Sequence, residues 1–492
     1  MAAGMAASLP ILDACAPSTG GSTTPTVSTP QPSAPTGGIT GPNILILMTD
    51  QERSEVALPS GFSLPARAML RSSGVHFARH HTPTAPCSPA RSTFFTGLHS
   101  PVSGIRDNCG LGQPDLSTDI ATLGTVLKAA GYRTAYVGKW HLTGTTTDVP
   151  SFLQPYGFDE AIGLSGNGVP NGGATEDPPV SAAASAWIAA RSGDPQPWCL
   201  VVSLINPHDM MWCPRFYRLD EVPDHGAAVP GNFETDLASK PAVQTLWRAE
   251  NVIVGGAMPN DVTSNVGSGE WRKWGNWYLE LLRRTDDLMS SVLASLTSSG
   301  LAGETVVVQV ADHGEMGGGH GLRQKGAMIY QENLRVPLTI CDPRRPATHG
   351  ATTTSLTSHV DIVPTLAALA GFGRSELPWL TGHDLTPLLD SPQQRVREAL
   401  LVTSDAPSSG LAVPGLNYCI RGAITEQHSF GRYSTTANIE QHADDDELEC
   451  YDRSADPGEM HNLAHDAGSA AVLADLDALV DELVASELAD LP

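Results

Sequence analysis

Four short, almost wholly apolar segments are each followed within three residues by an ionisable side chain, and this pattern constrains the fold more than any other feature. The segments are residues 43–48, 134–137, 198–205 and 305–310. Apolar runs of this length are typical of strands buried on both faces of a parallel sheet. Stretches with helical periodicity, such as residues 119–130, lie between them. We therefore predict an α/β fold with a large, mostly parallel central sheet flanked by helices.

Polar side chains follow each of these strands at the point where it ends. In open α/β sheets, ligands bind at the carboxyl ends of strands, so parallel neighbours would bring these side chains to one edge. A single such residue is more often a cap or a surface group, but four junctions together indicate a functional site. The side chains concerned are Asp50, Gln51, Lys139, His141, His208, Asp312 and His313.

A cysteine is predicted at the start of a helix. Pro89 suits the first turn of that helix, and Gly97 suits its end. Cys87 then lies at the helix N-terminus, where the dipole and free N–H groups favour an anion, and Arg91 lies one turn further on the same face. A nucleophile beside a fixed guanidinium can handle an oxyanion. The alternative is a buried structural cysteine.

These segments resemble the type I sulfatase family of the alkaline-phosphatase-like superfamily. Cys87-Ser88-Pro89-Ala90-Arg91 is similar to the family's C-x-P-x-R signature. The other similar segments, in the family's order, are residues 43–51, 138–141 (Gly-Lys-Trp-His), 312–315 (Asp-His-Gly-Glu), 335–338 and the closing element 449–463. The resemblance covers roughly residues 43–465 and implies the alkaline-phosphatase-like α/β sandwich.

The resemblance implies hydrolysis of an organic sulfate monoester to an alcohol or phenol and inorganic sulfate. In that family a formylglycine-generating enzyme oxidises the signature cysteine, and the hydrated aldehyde is the nucleophile. Carried over to this chain, Cys87 would be the modified residue, since covalent catalysis divides one difficult step into two easier ones. Arg91 and Lys139 would stabilise residue 87 and the charge of the bound sulfate.

Four further residues receive roles by the same resemblance. His141 would be the base in the step that releases sulfate. His208 and Lys325 would contact the substrate near the leaving group, as acid and electrostatic partner. Asn108 would contact a sulfate oxygen, and a role in a turn is equally open for it.

The resemblance also implies one divalent metal, bound by Asp50, Gln51, Asp312, His313 and the modified Cys87. The family favours Ca²⁺, which prefers oxygen ligands. Here Gln51 stands where many members have Asp, and His313 stands where many have Asn, which shifts the site toward Mn²⁺ or Zn²⁺. This combination resembles the branch that holds choline sulfatases and phosphonate monoester hydrolases.

Two alternative functions follow from this comparison. The first is hydrolysis of phosphonate monoesters or phosphodiesters on the same fold, because the same metal and nucleophile handle both anions. The second is a surface-tethered binding protein that keeps the fold without the chemistry. That alternative predicts missing catalytic residues, and none is missing from the motifs.

The N-terminal region differs in composition from the rest of the chain. Residues 1–16 resemble a signal or lipoprotein segment, with a lipid on Cys15, although Asp13 and the lack of basic residues before Arg53 argue against this. Residues 17–42 are rich in Ser, Thr, Pro and Gly and are predicted to form a disordered linker. We expect a secreted or lipid-anchored bacterial protein. A cytoplasmic protein with a disordered tail is the alternative.

Two folded units are predicted after the linker: a catalytic domain at residues 43–395 and a small C-terminal α+β domain at residues 396–492. The second contains short antiparallel strands and an amphipathic helix at residues 468–488. Cys419 and Cys450 lie in two of these strands. They would be able to form a disulfide in an exported protein, and the sequence does not show whether they pair.

Charge and composition limit the partners. The 29 basic and 53 acidic side chains give a formal charge of −24, which argues against nucleic acid and against a long, highly sulfated polymer. A small sulfate ester remains compatible, because Arg91, Lys139, Lys325 and a metal would be gathered at one place. No apolar run is long enough to predict a spanning helix. The second expected substrate loop and the helix after it contain Trp212, Trp247, Trp271, Trp274 and Trp277, enough aromatic surface to line a pocket, although some of these must lie in the core.

Overall fold

The computed structural model describes residues 27–36, 41–54, 56, 58–110, 113–233, 236–326, 328–406, 416, 418–434 and 447–489. Residues 1–16, with the predicted lipid site at Cys15, lie outside the described residues, as does most of the predicted linker. Within the described ranges, no helix is both long enough and apolar enough to span a bilayer.

Fourteen strands are described. They are β1 (Asn43–Asp50), β2 (Val75–Phe77), β3 (His80–His81), β4 (Arg133–Lys139), β5 (Glu160–Ser165), β6 (Trp198–Pro207), β7 (Thr305–Ala311), β8 (Leu338–Cys341), β9 (Thr352–Thr353), β10 (Thr357–Ser358), β11 (Ala399–Ala406), β12 (Tyr418–Thr425), β13 (His428–Ser434) and β14 (Glu447–Asp452).

Eleven α-helices lie between and after these strands. They are α1 (Pro65–Ser73), α2 (Cys87–Thr96), α3 (Ser100–Ser103), α4 (Leu123–Ala129), α5 (Gly172–Ala189), α6 (Ala242–Gly255), α7 (Asn265–Ser298), α8 (Gln331–Leu334), α9 (Ile362–Leu369), α10 (Thr386–Asp390) and α11 (Ala470–Glu487).

The central sheet has eight strands in the order β5-β4-β6-β1-β7-β8-β2-β9, and only β8 runs against the others. The predicted fold class, a mostly parallel sheet with helices and a separate antiparallel sheet near the C-terminus, is therefore confirmed. The strands β3 and β10 form a small parallel pair of their own.

Both faces of the central sheet are buried. Ile44, Ile46 and Met48 of β1 face a core that also contains side chains of α2, α4 and α9. Leu45 and Leu47 face the opposite core, which contains side chains of α1, α5 and α7. A fully buried side chain of this size contributes about 1.5–3 kcal/mol, so continuous apolar strands are what a two-sided sheet requires.

Two helices differ in extent from their sequence predictions. The helix expected at residues 119–130 starts only at Leu123, because Thr122 and Thr125 form a capping box, with the Thr125 N–H 3.3 Å from Thr122 Oγ1. The long helix α7 includes Trp271, Trp274 and Trp277, which were expected in the second substrate loop and the helix after it, and it starts at Asn265, where the Ser264 hydroxyl caps its first turn.

The C-terminal sheet is an antiparallel meander, β11-β12-β13-β14, with α11 on one face. The disulfide considered for Cys419 and Cys450 is absent, since both thiols are free. The reason is spatial: β13 separates the two cysteine strands by roughly 9–10 Å, and the cysteines are offset along it, since Cys419 pairs with Ser434 and Cys450 with Phe430. A disulfide needs its two Cα atoms within about 7 Å.

Candidate active site

The site lies where the strands β4, β6, β1 and β7 end side by side. These neighbours pair in parallel, so Lys139, Asp50 and Asp312 come to the same edge of the sheet, and His208 follows β6 directly. The Asp312 backbone N–H donates to the Thr49 carbonyl at 3.1 Å, which fixes the ends of β1 and β7 against each other. The convergence expected from the strand pattern is present.

Cys87 is the first residue of α2, and Gly97 ends that helix in the left-handed conformation, with φ of 71°. The thiol is buried, with 1% of the residue exposed. Its Sγ atom lies 3.1 Å from His313 Nε2, 3.7 Å from Asp50 Oδ1 and 4.0 Å from Lys139 Nζ. Residue 87 thus sits at a helix N-terminus inside a ring of charged groups.

The surroundings of Cys87 favour negative charge on its side chain. Burial and the Asp50 carboxylate raise the pKa of the Cys87 thiol, but Lys139, Lys325 and His313 outweigh them and hold it below the usual value. A site that lowers a thiol pKa against burial is one that stabilises an anionic nucleophile at that position.

Arg91 is completely buried, and its guanidinium donates to two carboxylates, a backbone carbonyl and a hydroxyl. Its Nε donates to Asp312 Oδ2 at 2.8 Å, and its Nη2 donates to Asp50 Oδ2 at 3.1 Å. Nη1 donates to the Lys139 carbonyl at 2.7 Å and to the Ser203 hydroxyl at 2.9 Å. The guanidinium is directed at the two carboxylates and holds three strand ends together, and its expected role in stabilising residue 87 and the sulfate charge stays a prediction.

Four side chains form a cluster suited to a metal. Asp50, Cys87, Asp312 and His313 each offer one ligand atom, and these atoms all lie within 4.8 Å of one another. The His313 Nδ1–H donates to the Gly314 carbonyl at 2.9 Å, which leaves Nε2 facing the cluster. Two carboxylates, an imidazole and the side chain of residue 87 are a donor set that fits one divalent cation.

The two carboxylates of this cluster have opposite pKa shifts. Burial raises the pKa of Asp50, but Lys139, at 2.7 Å, together with His208 and Arg91 lowers it well below the ordinary value. Burial and the charge of Asp50 raise the pKa of Asp312. Asp50 is therefore the firmly ionised carboxylate of the pair.

Gln51 is held in a fixed orientation by its neighbours. Its φ of 69° is in the left-handed region, and its backbone N–H donates to Asp312 Oδ1 at 3.1 Å. The side-chain Nε2 donates to the Glu315 carboxylate, while Oε1 accepts from Lys325 Nζ at 2.6 Å. The amide oxygen proposed as a metal ligand thus already has one donor, and Lys325 is brought to the edge of the cluster.

His208 begins the 3₁₀ turn after β6 and lies flat against Gly168. A Cβ on residue 168 would come within 2.5 Å of the ring. The chain before it is fixed by the buried Asp177 carboxylate, which accepts from the N–H groups of Ile205 at 2.6 Å and Asn206 at 2.9 Å. The Gly168 backbone therefore supports the imidazole, and α5 fixes the chain segment that leads into His208.

Both proposed proton-transfer histidines are buried. Burial, Lys139 and Arg91 lower the pKa of His141 well below its usual value. Burial, Lys325 and Lys139 do the same to the pKa of His208. A neutral His141 suits a base. A neutral His208 is a weaker acid than the resemblance implies, and Lys325 is one of the charges that lower its pKa.

Asn108 lies beside the start of α2. Its Oδ1 accepts from the Ser88 N–H at 3.1 Å, and the Ser88 hydroxyl in turn donates to the His141 carbonyl at 2.6 Å. The structure thus gives the amide oxygen a capping role next to Cys87. The partly exposed side chain stays at the rim of the site.

Sequence reasoning gave no role to several residues that hold the site together. Ser203 binds Arg91, Glu315 orients Gln51, Gly168 supports His208, and His359 Nε2 donates to the Asp312 carbonyl at 2.9 Å. Ser203 was detectable as a polar residue inside an apolar strand. The others contact the site across long stretches of sequence and carry no local signal.

Most of the tryptophans expected to line a pocket are in the core instead. Only Trp212 adjoins the site, beside His208. The buried members of the five are Trp247, Trp271, Trp274 and Trp277.

Replacing Gly168 with alanine tests the support of His208. The new Cβ would lie 2.5 Å from Cε1 and 2.9 Å from Nδ1, so the ring must move. We expect kcat to fall by about 10²-fold, as for a misplacement of about 1 Å, and more on esters with poor leaving groups. Steady-state kinetics on two esters of different leaving-group acidity measures this.

The matched control is Gly193→Ala, which has a similar left-handed backbone, φ of 78°, with no atom within 4 Å of the new Cβ. It carries the same backbone strain without the clash, so its activity should stay close to wild type. Equal losses in both variants would attribute the effect of Gly168→Ala to strain rather than to His208.

Known proteins are similar to this chain over most of its length, including the residues of the site. Residues 42–372 match the family model described as Sulfatase. The chain is 30% identical over 473 residues to the "Uncharacterized sulfatase YidJ" of Escherichia coli, covering 89% of this chain and 86% of that protein. It is 27% identical over 462 residues to a choline-sulfatase of Rhizobium meliloti, covering 86% and 82%.

Solved structures share the fold. A structure described as a 2-O GAG sulfatase has a TM-score of 0.73 at 21% identity, covering 92% of this chain and 93% of that one. The phosphonate monoester hydrolase of Agrobacterium radiobacter has a TM-score of 0.69 at 23% identity, covering 91% and 96%. At these identities the likeness concerns the fold alone.

Proposed function

This chain belongs to the sulfatase family, and we propose that it cleaves an organic sulfate monoester through a formylglycine made from Cys87 and one divalent metal. That it is a sulfuric ester hydrolase follows from the family, and this sets aside a binding protein without catalysis. The observation that carries the finer proposal is the position of Cys87 at the start of α2, within 3.7 Å of both His313 Nε2 and Asp50 Oδ1.

The proposal requires that a formylglycine-generating enzyme convert Cys87 before the site acts. The aldehyde hydrate would supply one hydroxyl that attacks sulfur and a second that expels sulfate. The overall reaction consumes one water and releases an alcohol or phenol and sulfate. The motif and the cationic surroundings of residue 87 support this assignment, because both suit an anionic oxygen there.

Asp50, Asp312, His313 and residue 87 would hold the metal, with Gln51 at the edge of the site. When bound, a divalent cation acts as a Lewis acid toward the sulfate oxygens. The two carboxylates suit Ca²⁺, while the imidazole and the amide favour Mn²⁺ or Zn²⁺. Arg91 orients the carboxylates from behind and so keeps them available for a cation.

Proton movement is assigned to three residues. His141, neutral because burial and Lys139 lower its pKa, accepts the proton whose loss releases sulfate. Lys325 and His208 lie on the leaving-group side, where they donate hydrogen bonds or a proton to the departing oxygen. Lys139, 4.0 Å from Cys87 Sγ, balances negative charge at residue 87 and on sulfate.

Hydrolysis of a phosphonate monoester or phosphodiester is the second candidate function. It is supported by Gln51 and His313, which together resemble the ligand set of that branch. Measuring kcat/KM on 4-nitrophenyl sulfate and on a 4-nitrophenyl phosphonate monoester distinguishes the two functions. We expect the sulfate to be the better substrate, and a clear preference for the phosphonate would overturn the first proposal.

Removal of the metal should abolish turnover reversibly. Dialysis against a chelator is expected to lower kcat by at least about 10³-fold, because the ester then loses its Lewis acid. Adding Ca²⁺, Mn²⁺ and Zn²⁺ back separately identifies the ion that restores the rate. Full activity in protein shown by elemental analysis to be metal-free would contradict the proposed cluster.

A further inference from the structure

An exposed group of apolar side chains adjoins the proposed site on its leaving-group side. We call Val169, Met211, Trp212 and Phe216 the apolar ledge. Val169 is 60% exposed and Phe216 is 52% exposed, which is unusual for side chains of this size. Met211 and Trp212 are half-buried. Exposed and half-buried apolar side chains next to a reactive site indicate a place where substrate binds.

The ledge contacts Lys325 directly and is linked to His208 through Gly168. Met211 Sδ lies 3.7 Å from Lys325 Nζ. Trp212 is in the same 3₁₀ turn as His208, and its Nε1 donates to the Gly168 carbonyl at 3.2 Å. Since Gly168 is the residue on which the His208 ring rests, the ledge and the proton-transfer residues form one wall.

The aromatic part of the ledge is fixed before any substrate arrives. The hydrogen bond from Nε1 sets the plane of the Trp212 ring. Phe216 packs against it edge to face, with ring centroids 6.0 Å apart and an interplanar angle of 78°. A preorganised aromatic surface binds a flat ring with little loss of side-chain freedom.

Charged groups around the ledge are engaged elsewhere. Glu176 accepts from the Gly166 N–H at 2.8 Å, and Asp209 accepts from the Gly173 and Ala174 N–H groups at 3.3 and 3.2 Å. The Arg215 Nη2 is directed to the Val252 carbonyl at 3.4 Å. Both carboxylates thus accept hydrogen bonds from backbone N–H groups, and Asp209 is also buried, so it is not presented to a cationic leaving group.

We propose that the apolar ledge is the leaving-group subsite and that the substrates are sulfate esters of phenols, whose aromatic ring lies against Trp212 and Phe216. The assignment rests on the proposed function, because it takes Lys325 and His208 as the residues that face the leaving oxygen. Hydrolysis then consumes one water, breaks the sulfur–oxygen bond and gives the free phenol and sulfate.

The test compares the metal-loaded full-length enzyme with Trp212→Ala and Phe216→Ala on two esters, 2-naphthyl sulfate and methyl sulfate. Each variant should lose about tenfold or more in kcat/KM on the naphthyl ester, mainly through KM, as expected for a lost aromatic contact. The loss on the methyl ester should be at least about fivefold smaller. Trp212→Phe should restore most of the naphthyl activity.

Val266→Ala is the matched control, because Val266 is 75% exposed at the far start of α7 and should affect neither ester. Equal losses on both esters would show a structural role for the ledge and overturn the proposal. A wild-type preference for choline sulfate or a sugar sulfate would overturn the phenolic leaving group. Absence of turnover on every sulfate ester would overturn the proposed function itself, which is a distinguishable result.

Discussion

Cys87→Ala should reduce turnover by at least about 10⁴-fold, because the variant has no side chain that can become the nucleophile. The fold should survive, since the change removes one buried sulfur atom and costs about 1–2 kcal/mol. The measurements are kcat on 4-nitrophenyl sulfate and thermal unfolding of the two proteins. Activity near that of wild type in Cys87→Ala would refute the nucleophile assignment.

The variant Cys87→Ser tests the attack on sulfur separately from the release of sulfate. Cys87→Ser keeps one hydroxyl at the start of α2 but lacks the second, so it should at most transfer sulfate once and then stop. Rapid-mixing kinetics should therefore show no more than one equivalent of phenol released per enzyme. Sustained turnover by the serine variant would show that a second hydroxyl is not needed for release.

Mass spectrometry of the peptide around residue 87 completes this test. In wild-type protein from its own host, the peptide should carry an aldehyde or its hydrate in place of the thiol. A peptide found only with an unmodified thiol, in protein that hydrolyses sulfate esters, would contradict the formylglycine mechanism.

Arg91→Met should produce the largest loss of stability of any single change at the site. The variant leaves Asp50 and Asp312 buried without the guanidinium that bridges them at 3.1 and 2.8 Å. Removing one partner of a buried ion pair costs about 3–5 kcal/mol. Urea unfolding of the chelated protein at neutral pH measures the difference, and kcat should also fall because the carboxylates lose their orientation.

The pH dependence of that difference has a definite sign. The pKa of Asp50 in the folded protein lies well below 3.8, held there by Lys139 first and then by His208 and Arg91. A lowered carboxyl pKa gives stability that is present above the unfolded value and is lost as the pH falls through the folded value. The part of the wild-type advantage over Arg91→Met that comes from Asp50 should thus persist at neutral pH and be lost only below pH 3.8, whereas the part that comes from Asp312, whose pKa is raised, should diminish at higher pH.

Arg91→Lys is the matched control, because it keeps one positive charge but not the planar fork that reaches two carboxylates and two oxygens. It should be intermediate in stability. Equal stability of Arg91→Met and wild type would mean that Lys139 alone balances the two carboxylates.

Much of the site at the edge of the central sheet was predictable from sequence. Each apolar strand ended in an ionisable residue, and burial on both faces required the strands to pack side by side. Asp50, Lys139 and Asp312 therefore had to meet once the order of neighbours was right. The helix that begins at Cys87 was equally local, since Pro89 and Gly97 specify its two ends.

Directional contacts were not predictable, because they depend on side chains that meet only after folding. Arg91 was expected to stabilise residue 87 and the sulfate charge, and the sequence did not show that its donors would also bind two carboxylates at the ends of β1 and β7. The tryptophans of α7 were candidate pocket residues, and packing places them in the core. Cys419 and Cys450 lie in the predicted strands, yet β13 keeps them apart.

The sequence by itself determined the fold class, the family and the set of chemical groups, because strand burial and motif spacing act over short stretches of chain. Only the tertiary structure decided what each group touches: His208 on Gly168, Gln51 between Glu315 and Lys325, and Trp212 beside the site. The physical reason is that hydrogen bonds and ring contacts are set to within a few tenths of an ångström by residues far apart in sequence, and no local pattern records that geometry.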